Sequence, residues 1–196
     1  YAVTNIVYMG MGEPLDNLDG TLASLAVLTD PEAYAFSRNR ITVSTVGILD
    51  ALPRFLDESP VNLALSLHSP FPEERRRLMP VEVTNPVEHV LDLLREHGED
   101  RKRRFSIEYT CFAGLNTSPA HARAIARLLT GLSARINLIP FHRIPDVDLQ
   151  PAGTDEISGF QTELRRRGLR AFVRRSRGLD VQAACGLLWT RHAEAT

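Results

Sequence analysis

Glu13 follows two closely spaced glycines in the segment GMGEP, residues 10–14. Glycine lets a ligand approach the backbone closely, and a neighbouring carboxylate can pair with a ligand ammonium. A tight turn carrying a solvated glutamate fits the same spacing. Ser44 and Thr45 in STVG can hydrogen-bond a ligand carboxylate or ribose, or simply cap local backbone. His68, after Ser66 and Leu67 in SLHS, has the chemistry of a base, a metal ligand or a ribose contact. A lone histidine is more often none of these. His142, at the end of PFH, is open to the same readings. Cys185 lies among small residues in AACG, downstream of RRSRG. Arg174, Arg175 and Arg177 could lower its thiol pKa by folding over it. A free cysteine serves as readily as a buried apolar side chain, so the local sequence leaves Cys185 undecided.

Several chemistries lose support. The chain has no Gly-rich loop of the P-loop or dinucleotide type and no G-x-S-x-G elbow. Its two cysteines, Cys111 and Cys185, are far apart and lack zinc spacing. They form no disulfide framework, which favours a reducing, cytoplasmic setting. No apolar run is long enough to span a bilayer, and no secretory signal is visible. The net charge of -1 does not advertise nucleic-acid binding. The arginines concentrated between Arg165 and Arg177 nevertheless make a local patch that can hold phosphate.

The elements that would position these residues alternate. Strands are expected at Asn5–Met9, Arg40–Thr45, Asn62–Leu67, Phe105–Cys111, Arg135–Ile139 and Leu169–Val173. Helices are expected from Leu18 to Leu28, with Asn17 as cap, and over Ile48–Leu56, Pro86–His97, Pro119–Leu132 and Asp155–Arg167. Each link between strands is long enough for a right-handed crossover, which predicts a parallel sheet, either doubly wound or an arc of a barrel. Leu63, Leu65 and Leu67 alternate with Asn62, Ala64 and Ser66, so one sheet face should line a partly polar interior. The polar segments all follow strands, where parallel folds assemble their sites. Tyr1 already stands at the threshold of a strand, which suggests a piece of a longer protein.

Taken together, YMGMGEPLDN, RITVSTVG, NLALSLHSP with RRRLMP, INLIPFH and VRRSRGLDVQAACG resemble the RlmN/Cfr family over essentially the whole chain, and its RlmN branch more than the other. That resemblance implies an α/β fold, a partial (β/α)6 radical SAM barrel truncated at its N-terminal side. Residues 1–196 would be the C-terminal portion of the barrel domain. It implies methylation of C2 of an adenine in 23S rRNA, with tRNA as a second substrate. Gly12 and Glu13 match the motif that holds the amino group of S-adenosyl-L-methionine. Ser44 matches a second cofactor loop, Ser66, Leu67 and His68 a third, and His142 a further contact. Cys185 matches the methyl-carrying cysteine, and Arg174, Arg175 and Arg177 become candidates for RNA phosphates. In the family, one S-adenosylmethionine methylates the cysteine sulfur. A second is cleaved at a [4Fe-4S] cluster to a radical that activates the S-methyl group toward the electron-poor ring carbon.

Two features depart from the family pattern. The C-x3-C-x2-C motif that ligates the cluster is absent from this chain, and its ligands are expected upstream of Tyr1, so no metal site is expected within it. Cys111 does not match the family's resolving cysteine. His142 stands where the family commonly has asparagine; histidine can still donate or accept a hydrogen bond. The resemblance also implies a reducing electron donor such as flavodoxin or ferredoxin, no membrane partner, and a monomer. The chain alone is expected to be inactive. Another radical SAM activity on the same barrel, or an RNA-binding or purely structural remnant, are the competing readings.

Overall fold

The computed structural model describes residues 3–97, 103–143 and 147–174. Among the described residues six strands form one sheet: β1 (Ile6–Tyr8), β2 (Ile41–Thr45), β3 (Asn62–Ser66), β4 (Phe105–Cys111), β5 (Ala134–Pro140) and β6 (Arg170–Val173). Every neighbouring pair is parallel, and the spatial order is the chain order. That order decides between the two architectures left open by the alternation. A doubly wound sheet changes direction at a switch point. A monotonic order with right-handed crossovers places all the helices on one face. The sheet is therefore an arc of a (β/α) barrel, helices outside.

The helices are α1 (Leu18–Thr29), α2 (Leu52–Glu58), α3 (Pro72–Leu78), α4 (Val87–Glu96), α5 (Pro119–Leu128) and α6 (Thr154–Arg166). Asn17 caps α1 by accepting from the Gly20 N–H, and Ser118 caps α5 by accepting from the His121 N–H. α4 turns Val87, Val90, Leu91 and Leu94 inward; α6 does the same with Ile157, Phe160 and Leu164. They cover an outer sheet face of Val43, Leu63, Leu65, Ile107, Tyr109, Ile136 and Leu138, all buried.

Three elements differ from expectation. α2 starts at Leu52 rather than Ile48, because the preceding loop is held elsewhere: the Leu49 N–H donates to Asn85 Oδ1 at 2.7 Å. α5 ends at Leu128, and the chain turns through Gly131 at φ 80°. Leu129 and Leu132 remain buried beyond the helix, so their apolar character reports the core rather than the helix. α3 was not anticipated. It is short and charged, with acids in its first turn and arginines in its last, which suits the helix dipole but carries no apolar period.

The inner face is polar, as the β3 alternation implied. The register aligns Ser66, Glu108 and Asn137 across three strands. Glu108 is buried there, and its Oε1 accepts from Asn137 Nδ2 at 2.7 Å and from Ser106 Oγ at 3.0 Å. Among the described residues, no helix is long and apolar enough to cross a membrane.

Candidate active site

Parallel strands bring their carboxyl ends to one rim, and the candidate residues follow those ends. Gly12 adopts φ 83°, and an added Cβ there would meet nothing within 4 Å, so it is conformation rather than crowding that calls for glycine. Both carboxylate oxygens of Glu13 are engaged by backbone. Oε1 accepts from the Leu15 N–H at 3.0 Å, capping the 3-10 turn Pro14–Asn17, and Oε2 accepts from the Val46 N–H at 2.8 Å. Each oxygen keeps a second lone pair for a cation.

Ser44 and Ser66 lie on the inner face at the ends of β2 and β3. Neither hydroxyl has a hydrogen-bond partner among the described residues. Leu67 is buried, and its N–H donates to the Glu108 carbonyl at 3.0 Å. Gly47 closes the β2 loop at φ 95°, where a Cβ would come within 2.8 Å of Val90 Cγ2.

His68 is the non-glycine residue at the rim with positive φ, 57°. Such backbone strain persists where surrounding contacts hold it. Asn116, wholly buried, donates through Nδ2 to the carbonyls of His68 and Thr110, each at 2.7 Å, and accepts from the Phe112 N–H at 2.9 Å. His68 Nδ1 accepts from the Thr110 N–H at 3.0 Å, which assigns the ring proton to Nε2. Burial lowers the His68 pKa to about 4, with the positive charge of Arg75 adding to the effect. At neutral pH the ring is uncharged and offers Nε2–H as a donor.

His142 follows β5 and is partly exposed. Phe141 beside it packs on Phe112, with ring centroids 4.9 Å apart, joining the loops after β4 and β5. Arg174 donates its backbone N–H to the Leu138 carbonyl at 2.8 Å. Its side chain borders an inner-face hollow of about 390 Å³ shared with Arg40, Arg104, Arg135 and Glu108. A larger hollow of about 510 Å³ lies on the helical side, between Phe71, Asp92, Arg95 and Arg127, and touches none of the candidate residues. The candidate residues lie instead along the rim, Ser44 and Ser66 at the ends of β2 and β3 and His68 in the loop that follows. Arg175, Arg177 and Cys185 lie outside the described residues.

Cys111 is fully buried, and burial pushes its thiol up to about 12, with Glu156 contributing. A buried thiol held in its protonated form is a poor nucleophile. Among the described residues no group of three or more His, Cys, Asp or Glu could hold a metal. With two cysteines in the chain, one of them Cys111, a three-cysteine cluster does not fit the residues present.

Sequence reading missed the scaffold behind the rim. Arg75 is fully buried, pairs with Glu82, and donates to the carbonyls of Val46 at 2.9 Å and Ser66 at 3.1 Å. Asn116 and Glu108 were likewise invisible as site supports. None of the three stands at a position of apolar spacing: Arg75 is flanked by Arg76 and Arg77 in a helix without apolar period, Glu108 shares the polar alternation of β4 with Ser106 and Thr110, and Asn116 lies in a loop.

A family model described as the radical SAM superfamily matches residues 1–127. Over 189 residues the chain is 49% identical to the "Probable dual-specificity RNA methyltransferase RlmN" of Parabacteroides distasonis, covering 96% of this chain and 55% of that one. It is 43% identical over 188 residues to the "Dual-specificity RNA methyltransferase RlmN" of Desulfotalea psychrophila, covering 96% and 52%. The crystal structure of a radical SAM methyltransferase from Sphaerobacter thermophilus superposes with a TM-score of 0.91 at 39% identity, covering 95% of this chain and 55% of that one. The chain thus spans about half the length of the curated relatives it matches. A rim of strand-end loops on a parallel barrel arc, a family model over most of that arc, and close relatives of one kind lead to a single assignment: the chain belongs to the radical SAM superfamily and is homologous to its RlmN-type members.

Proposed function

We propose that residues 1–196 are the C-terminal portion of a radical SAM methyltransferase domain that methylates C2 of an adenine in 23S rRNA, with tRNA as a second substrate. The observation that carries this reading is the convergence of Glu13, unpartnered Ser44 and Ser66, and neutral His68 on one rim. These are the positions at which the chain matches the family's cofactor loops. Bound S-adenosylmethionine would supply the methyl group and the 5′-deoxyadenosyl group. The chain's own residues bind and orient it. Glu13 offers its free lone pairs to the amino group, and Gly12 leaves open space beside it. Ser44, Ser66 and His68 present hydroxyls and an N–H, with Leu67 holding the third loop against β4, and His142 adds a polar contact from β5. Cys185 is the methyl carrier in this reading, and Arg174, Arg175 and Arg177 grip RNA phosphates.

A [4Fe-4S] cluster is outside the capacity of these residues, which include only two cysteines. A cytoplasmic monomer reduced by flavodoxin or ferredoxin fits the reading. The test is a longer reading frame carrying C-x3-C-x2-C, expressed whole and reconstituted. Adenine C2 methylation is expected, with a methylated thioether at Cys185 by peptide mass analysis. A thiol that stays unmodified through turnover would remove Cys185 from the mechanism.

A further inference from the structure

Val46 is held from both sides. Its N–H donates to Glu13 Oε2 at 2.8 Å, and its carbonyl accepts from an Arg75 amino group at 2.9 Å. The same Arg75 nitrogen donates to the Ser66 carbonyl at 3.1 Å. One guanidinium therefore ties the end of β3 to the loop after β2, and through Val46 to the loop after β1. These are the three strand ends at which Glu13, Ser44 and Ser66–His68 lie.

The other end of the guanidinium is fixed as firmly. Its second amino group pairs with Glu82 in the 3-10 turn Pro80–Val83. Glu82 Oε2 also accepts from the Val87 N–H at 3.1 Å, at the first turn of α4. Two further contacts press the α3–α4 connection on the β2 loop: Asn85 Oδ1 accepts from Leu49, and Val90 fills the space beside Gly47. A fully desolvated charge is costly unless paired and hydrogen-bonded. A buried arginine used only to fill space would be replaceable by an apolar residue. The fork geometry of arginine, with several donors in one plane, is what lets a single side chain hold two carbonyls and a carboxylate.

We infer that Arg75 is a positioning residue for the cofactor site, a buried clamp that sets three strand-end loops in one geometry while Glu82 neutralises it. This rests on the proposed function for the identity of the ligand, but not for the clamp itself. Arg75 is fully buried behind the rim and makes its contacts to the protein itself. It acts through Val46 and Ser66, and its field reaches His68.

Replacing Arg75 alone would strand Glu82 as a buried charge and could unfold the chain, so the informative variant is the double substitution Arg75→Met with Glu82→Gln. Removing both charges together is tolerated far better than removing one. The readouts are amide hydrogen exchange and the titration of the His68 ring followed by NMR. In the double variant, exchange at Val46, Gly47 and Leu67 is expected to quicken at least tenfold while amides of β5 and α6 keep their parent rates. The His68 midpoint is expected to rise, because the cation that opposed its protonation is gone. Unchanged exchange in these loops, an equal acceleration throughout the sheet, or a His68 midpoint that stays put would overturn the inference. Neither readout needs a cofactor. Failure of the whole reconstituted protein, cluster ligands included, to use S-adenosylmethionine would remove the proposed function and leave the clamp tested on its own terms.

Discussion

Single residues at the rim are specified by backbone conformation and by burial. Gly47 combines φ 95° with Val90 Cγ2 only 2.8 Å from a would-be Cβ, whereas Gly114 has φ 66° and open space. Gly47→Ala is expected to lose about 2–4 kcal/mol, from left-handed strain plus overpacking, and Gly114→Ala about 1–2 kcal/mol from strain alone. Urea unfolding of the two variants checks the difference. His68 is held neutral, with its pKa lowered to about 4, while an unfolded histidine titrates near the ordinary 6.5. Below that value the unfolded chain takes up a proton that the folded chain refuses. Stability is therefore complete above about pH 6.5 and declines as pH falls toward 4, by a loss on the order of 3 kcal/mol. Asparagine tolerates positive φ, so His68→Asn is expected to fold and to flatten this part of the pH profile. Cys111, with its thiol pushed up to about 12 and no exposure, should resist alkylation at pH 8 until the protein is unfolded. Mass analysis after iodoacetamide, with and without urea, gives the comparison.

At the scale of elements, strands and loops are joined by polar side chains placed where the sheet turns inward. Asn137 on β5 holds Glu108 on β4, which also receives Ser106. Asn137→Ala would leave a buried carboxylate with one side-chain donor fewer, and a loss of about 1–3 kcal/mol is expected in urea unfolding. α5 begins at Ser118, whose hydroxyl meets His121 Nδ1 at 2.7 Å, while His121 Nε2 reaches Glu74 at 2.9 Å and Glu74 accepts from Ser69 at 2.6 Å. This chain of contacts docks α5 on α3 beside the His68 loop. The β4–α5 loop is fastened by Asn116 in the same way. Elements whose ends carry the candidate residues are thus tied by side-chain hydrogen bonds, where apolar packing alone would let them slide.

The molecule as a whole is an arc with an apolar outer face under helices and a polar inner face. That division is what permits a polar ligand within a parallel barrel, whose strands would otherwise be apolar on both sides. Iron–sulfur clusters of the radical type need cysteine thiolates that these residues do not supply. Reconstitution of the 196-residue chain with iron and sulfide is accordingly expected to yield no 5′-deoxyadenosine and no RNA methylation, assayed by chromatography of the quenched reaction. Turnover under those conditions would contradict the fit drawn from the cysteine inventory.

The alternation of strands and helices, the placement of GMGEP, STVG, SLHS and PFH after strands, and the polar alternation of β3 were legible in the sequence, because period and punctuation are local properties. The chemistry proposed for them rests on the resemblance, since each segment alone fits an ordinary turn. Tertiary structure decided what depends on distant partners. The monotonic strand order, set by which strands pair, chose the barrel arc over a doubly wound sheet. The delayed start of α2 follows from Asn85, and the buried role of Arg75 from Val46, Ser66 and Glu82. Arg75, Arg76 and Arg77 are identical as letters, and only packing determines which of them loses its water. A guanidinium taken out of solvent must find acceptors, and those acceptors come from parts of the chain that only the fold brings together.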